Sequence, residues 1–117
     1  MSDVARRVLV DEDLPPRLAL ALGAQLGKEI PCSSVRDQGW RGLTNSALLA
    51  RMVEHGFTIL VIGDRNMAYQ QPLAGLSLAT VVVTRPLHRA AVLARVATIA
   101  EAVRSVQPGT SIEVPAA

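Results

Sequence analysis

Two short, almost unbroken apolar runs, FTILVI (57–62) and LATVVVT (78–84), restrict this chain more than any other feature. They are rich in β-branched residues and lack the polar alternation of a strand with one wet face. Such runs read as strands buried on both sides, the mark of a parallel sheet covered by helices. The segments around them fit that frame. RVLVD (7–11) reads as a third buried strand, Ile30 to Val35 as a weaker one, and Ser111 to Val114 as a short last one.

Helical spacing fills the gaps. Leu14, Leu18, Leu22 and Leu26 recur on one face, Asp13 is positioned as the N-cap, Pro15 and Pro16 fall in the first turn, and Gly27 closes the helix. Thr44 or Asn45 caps a second helix from Ser46 to His55. A short helix is expected within Arg65 to Gln71, and Pro86 opens a long Ala- and Val-rich helix to about Val106. RDQGWRGLT (36–44) reads as loop. Strands alternating with helices predict an α/β chain: a three-layer α/β/α sandwich with a mainly parallel sheet of about five strands. Its 117 residues suit one domain, 1–117.

Aromatic residues make up only 3%, so the core is built from Ala, Leu, Val and Ile. The net charge of +2 permits a nucleic-acid partner without requiring one. Eleven of the twelve positive residues are Arg, and Lys28 is the single lysine. Arg presents a planar fork suited to phosphate, although a GC-rich genome produces the same bias. The lone cysteine, Cys32, excludes an internal disulfide and fits a reducing cytoplasm. No apolar run approaches the roughly 20 residues that span a bilayer, and charges at Asp3, Arg6 and Arg7 break any secretory core. A cytoplasmic protein with no membrane partner is expected.

Ligands of open parallel sheets bind beyond the C-terminal strand ends. Acids cluster there: Asp11, Glu12 and Asp13 after the first strand, and Asp64 after FTILVI, with Asn45 at the start of the second helix. If the first and third strands are neighbours, Asp11 and Asp64 approach one another, and a cation between them relieves their repulsion. Mg²⁺ takes one or two carboxylates, keeps several waters and accepts phosphate oxygens, an arrangement that serves phosphodiester hydrolysis. Asp13, Asp64 and Asn45 also have plainer uses as cap and turn residues. Three classes place acids here. Receiver domains and haloacid-dehalogenase-type phosphatases also need a later lysine, and none follows Lys28. A metal-dependent PIN-type nuclease needs carboxylates and no lysine.

Three stretches, LVDEDLPPRL (9–18), QGWRGLTNSALL (38–49) and DRNMAYQQPLAGLSLATVVV (64–83), resemble a subgroup of the small bacterial PIN-like proteins, toxin components of toxin–antitoxin pairs. The resemblance implies a PIN-like sandwich and an Mg²⁺- or Mn²⁺-dependent endoribonuclease. It implies Asp11, Asn45 and Asp64 as catalytic residues, with Asp11, Asp64 and, less directly, Glu12 as metal ligands. RNA would be the substrate and an antitoxin protein the partner. The apolar long last helix could support a homodimer or could equally lie on the sheet. Arg17, Arg41, Arg65, Arg85 and Arg89 are candidates for RNA phosphates, and Trp40 is a candidate for stacking on a base; its plainer reading is a loop anchor. The chain departs from the family pattern at Ala47, where a Glu is usual, at Ile62, where a Thr is usual, and at Leu87-His88-Arg89, where Ser-Asn-Arg is usual. Fewer charged ligands weaken Mg²⁺ binding, so the alternative is a degenerate, non-catalytic PIN-like domain that binds RNA or a protein.

Overall fold

The structure, a computed structural model, describes residues 5–64 and 77–116. The short helix expected within 65–71 lies outside them. Five parallel strands form one sheet: β1 (Val8–Val10), β2 (Cys32–Ser34), β3 (Ile59–Gly63), β4 (Ala79–Val83) and β5 (Ser111–Val114), ordered β2-β1-β3-β4-β5. Val10 pairs with Ser34 on one side and Val61 on the other, so β3 runs two residues past β1. The helices are α1 (Arg17–Leu26), α2 (Val35–Gln38), α3 (Asn45–Glu54), α4 (Arg89–Leu93) and α5 (Val96–Ser105).

Alternation along the strands splits the core in two. Val8, Val10, Ile59, Val61, Val81 and Val83 face α1, α4 and α5. Leu9, Leu60, Ile62 and Val82 face α2 and α3, with Trp40 and Phe57. The three-layer α/β/α sandwich follows. Both faces of β1, β3 and β4 are buried, which is why those segments carry no polar alternation.

The layer assignment has a consequence for handedness. From β1 to β2 the chain steps one way across the sheet through α1; from β4 to β5 it steps the other way, yet α5 lies on the same face as α1 and packs against it. The β4–β5 crossover therefore has the opposite hand to the β1–β2 crossover, and also to the β2–β3 crossover through α3 on the far face. Crossovers of parallel strands are right-handed in about 98% of cases, so among the three crossovers through described residues the β4–β5 connection runs against the rule.

The helix termini depart from expectation in two places. Asp13 does not cap α1, which starts at Arg17 with Pro16 at the N-cap and no side-chain cap; its carboxylate instead crosses to β3. The long last helix is two helices. His88 ends an extended approach after Pro86, and its Nδ1 accepts the Ala91 N–H (3.4 Å), so α4 begins at Arg89. The chain then bends at Arg95, whose backbone leaves helical geometry. Arg95 is only 3% exposed. Its guanidinium donates to Ala91 O (3.1 Å), Thr84 O (2.9 Å), Val114 O (3.2 Å) and Pro86 O (2.7 Å). One side chain thus ties the end of β4, the end of β5 and the following loop to the helix pair of the reversed crossover.

Candidate functional site

The chain reverses direction across the sheet between β1 and β3, and open α/β sheets bind ligands beyond the C-terminal strand ends at such a switch point. Asp11 and Asp64 are the residues that follow those strands. The Asp11 N–H donates to Val61 O (2.9 Å), extending the ladder by one step and fixing where the acid sits. Asp11 is 4% exposed.

The three consecutive acids have separated roles. Asp11 is the buried one. Glu12 is exposed, and its Oε1 accepts the Gly42 N–H (3.1 Å), joining the end of β1 to the loop before α3. Both oxygens of Asp13 accept the Gly63 N–H at 3.2 Å. This carboxylate holds the last residue of β3 and so fixes the chain entering Asp64. Gly63 admits it because it has no side chain: a Cβ there would lie 2.6 Å from Asp13 Oδ2 and 2.7 Å from Leu87 Cδ1.

Asp64 faces the other way along the edge. Its Oδ2 accepts the Arg85 N–H (3.1 Å) and its Oδ1 the Arg85 Nε–H (3.2 Å), an ion pair with Arg85 well exposed and Asp64 half-buried. Asp11 lines two adjoining clefts on the β2 and α3 side, and Glu12 lines both with it. The first cleft, about 100 Å³, is bounded by Ser34, Arg36 and Arg41. The second, about 180 Å³, is lined by Val35, Trp40, Leu43, Asn45 and Leu48, and the surface it exposes is mostly polar. Strand pairing thus places Asp11 and Asp64 at adjacent strand ends, while the surroundings of their carboxylates differ.

Asn45 is spared from capping. Thr44 is the N-cap of α3, its Oγ1 accepting the Ala47 N–H (3.2 Å), and the Asn45 side chain makes no hydrogen bond with any described residue. Trp40 is 8% exposed and packs edge-on against His55 (5.0 Å) and Phe57 (5.8 Å). It is the loop's anchor and a cleft wall. The expected open stacking platform gives way to that role, because packing against His55 and Phe57 takes up most of the indole.

Among the arginines, Arg41 lines the first cleft, Arg17 and Arg89 are exposed at the first residues of α1 and α4, and Arg65 lies outside the described residues. Several others bind carbonyls near helix ends. Arg6 donates to Val103 O (2.9 Å) and Val106 O (2.7 Å), Arg7 to His55 O (2.6 Å) and Arg104 to Gln25 O (2.9 Å). Carbonyls at helix C-termini lack intrahelical donors, and cations there also oppose the helix dipole. Arg36 is a cleft residue that the sequence did not single out, since α2 falls inside a stretch that reads as loop.

The acids, Asn45 and Ser34 offer only oxygen ligands here, the donor set of Mg²⁺ or Mn²⁺ rather than of zinc. Among the described residues, no group of three or more His, Cys, Asp or Glu forms a ready-made cage. Also among them, no helix is long and apolar enough to cross a membrane. Comparison of the chain with protein-family models, characterised proteins and solved structures found no match.

Proposed function

We propose that the chain is a metal-dependent endoribonuclease of PIN-like type, a cytoplasmic toxin component acting on RNA and held in check by an antitoxin protein. One observation carries the reading: Asp11 and Asp64 end the two strands that flank the sheet's switch point, the place where open α/β sheets bind ligands. Asp11 and Asp64 would hold Mg²⁺ or Mn²⁺, with Glu12 and Asn45 beside Asp11. The bound ion would supply positive charge to a phosphodiester oxygen and acidify a water. Asp13 fixes Gly63 and with it the approach to Asp64. Arg41 and Arg36, at the first cleft, offer charge to the RNA backbone.

A second reading, a PIN-like domain that binds RNA or a protein without cutting, draws on the Asp64–Arg85 ion pair and on Ala47. Arg85 donates to both oxygens of Asp64 and competes with a cation for that charge. Cleavage of single-stranded RNA with Mg²⁺ or Mn²⁺ separates the two. The nuclease reading expects activity abolished by EDTA and reduced at least 100-fold in Asp11→Asn and Asp64→Asn. Metal-independent cleavage, or full activity in either variant, would overturn it; retained RNA binding without cleavage would establish the second reading. The receiver alternative predicts phosphorylation of Asp64 by a small phosphodonor, and the absence of any lysine after Lys28 speaks against it.

A further inference from the structure

We infer that the first cleft is a phosphodiester subsite, in which Arg36 and Arg41 hold an RNA phosphate beside Asp11 so that phosphate and divalent ion bind together and each only weakly alone. The inference rests on the nuclease reading and says how that site is loaded. The lining gathers two carboxylates, Asp11 and Glu12, and two guanidiniums, Arg36 and Arg41, around one space of about 100 Å³. That is about three times the ~30 Å³ share of a water molecule in the liquid, room for one phosphate group. Opposite charges around so small a space can pair with each other. Among the described residues, however, neither arginine side chain makes an ion pair or a hydrogen bond. Both guanidiniums keep all their N–H donors, in the fork that suits phosphate oxygens.

The chain fixes the backbone at both positions. α2 starts at Val35 directly after β2, which sets Arg36 at the C-terminal edge of the sheet. Ser34, also in the lining, caps α2 by accepting the Asp37 N–H (3.0 Å), and its hydroxyl hydrogen is left to donate. Arg41 stands between two tethered neighbours. The Trp40 indole is buried against His55 and Phe57, and the Trp40 N–H donates to Val35 O (3.0 Å). Gly42 turns the chain at φ 80°, a conformation that side chains disfavour, and donates its N–H to Glu12 (3.1 Å). A buried anchor on one side and a bond to the end of β1 on the other thus hold Arg41 at the cleft.

Neither ligand is well served alone. A phosphate entering without a cation meets Asp11 and Glu12 as well as the arginines. A divalent ion entering without phosphate finds two carboxylates, one of them already accepting from Gly42, and two cations across the cleft. Mg²⁺ usually joins one or two carboxylates to substrate phosphate oxygens and waters. A phosphodiester held by the arginines supplies those oxygens, and the ion offsets the repulsion between phosphate and acids. Such coupling is reciprocal: the ion raises phosphate affinity by the factor by which phosphate raises ion affinity.

Mn²⁺ titrations with and without dimethyl phosphate, read by the electron paramagnetic resonance of the free ion, test the coupling without any cleavage. A protein-free titration corrects for the complex that the two form in solution. Dimethyl phosphate should tighten Mn²⁺ binding about ten-fold, a coupling of ordinary size. Arg36→Gln and Arg41→Gln should each cut that gain to about two-fold or less. Mn²⁺ alone should bind these variants as tightly as before or more so, because a positive charge has left the neighbourhood of the acids. Arg51→Gln, an exposed change on α3, should keep the full gain, with circular dichroism confirming that every variant is folded. Mn²⁺ affinity indifferent to dimethyl phosphate, or the full gain retained in either cleft variant, would overturn the inference. Coupling with methyl phosphate but not with dimethyl phosphate would overturn the assignment to an internal RNA phosphate. Failure of the nuclease reading looks different: coupling with no RNA cleavage under Mn²⁺ keeps the subsite and removes the enzyme. Cleavage with Mn²⁺ bound equally with and without phosphate does the reverse.

Discussion

Replacing Arg95 by Met tests whether the reversed β4–β5 crossover depends on a single buried guanidinium. The variant keeps the length and most of the volume of the side chain and removes every donor. Four carbonyls lose a partner, but not equally. Val114 O keeps the Thr84 N–H (3.1 Å) and the Thr84 hydroxyl (3.2 Å). Among the described residues no other donor reaches the carbonyls of Thr84 and Pro86. A buried acceptor left unsatisfied costs about 1–3 kcal/mol, so two of them set a range of roughly 2–6 kcal/mol. Two effects reduce it: water can reach the carbonyl of the exposed Pro86, and Met removes the cost of holding a guanidinium out of water. The expected loss is about 2–3 kcal/mol, read from urea titration by circular dichroism, with the melting temperature lowered by roughly 6–15 °C. Arg95→Lys keeps the charge but lacks the fork and should fall between the two. A loss for Arg95→Met below about 0.5 kcal/mol, the range of an ordinary surface change, would refute the reasoning. So would a fully stable Arg95→Lys.

Three further outcomes are expected. Gly63→Ala forces Asp13 and Leu87 away from β3 and should destabilise by about 1–3 kcal/mol in urea titration, the usual range for overpacking; no change would mean that the Asp13–Gly63 bond is dispensable. Thr44→Ala should cost about 1 kcal/mol through loss of the α3 cap, whereas Asn45→Ala should cost less than about 0.5 kcal/mol; equal losses in thermal melts would remove the division of labour between these neighbours. Burial pushes the Cys32 thiol up to about 11, so at pH 8 a disulfide reagent should label it far more slowly in the native chain than in urea. The sign for stability follows: with the folded value raised, the unfolded chain sheds this proton first, so the contribution of Cys32 is lost as pH climbs toward 11.

The sheet was readable because burial on both faces leaves a local trace, the continuous β-branched runs of β3 and β4. The candidate site was readable only where a residue follows its strand directly, as Asp11 and Asp64 do. Asp13 was misread as a helix cap because its partner, Gly63, is fifty residues away, and sequence spacing carries no sign of such a bond. The break between α4 and α5 was hidden for a similar reason. No Gly or Pro marks it; the bend occurs at Arg95, whose guanidinium serves carbonyls on two strand ends and a loop. The arginine bias also has a reading that composition could not supply, since Arg6, Arg7 and Arg104 satisfy carbonyls at the ends of α5, α3 and α1.

The Arg6 contacts also bear on the order in which the fold is completed on the ribosome. β1 is an interior strand of the sheet, and its partners β2 and β3 follow within about fifty residues. The carbonyls that receive Arg6 lie 97 and 100 positions downstream. At about 5–20 residues per second, synthesis takes roughly 5–20 s to reach them. During that interval the nascent chain can pair β1 with β2 and β3 while the part of one sheet face later covered by α5, beside α1, stays open. Closure of that face and fastening of the segment before β1 are then a single late event, and a chain stalled before Val103 would present valine-rich strand surface to whatever chaperone is nearest.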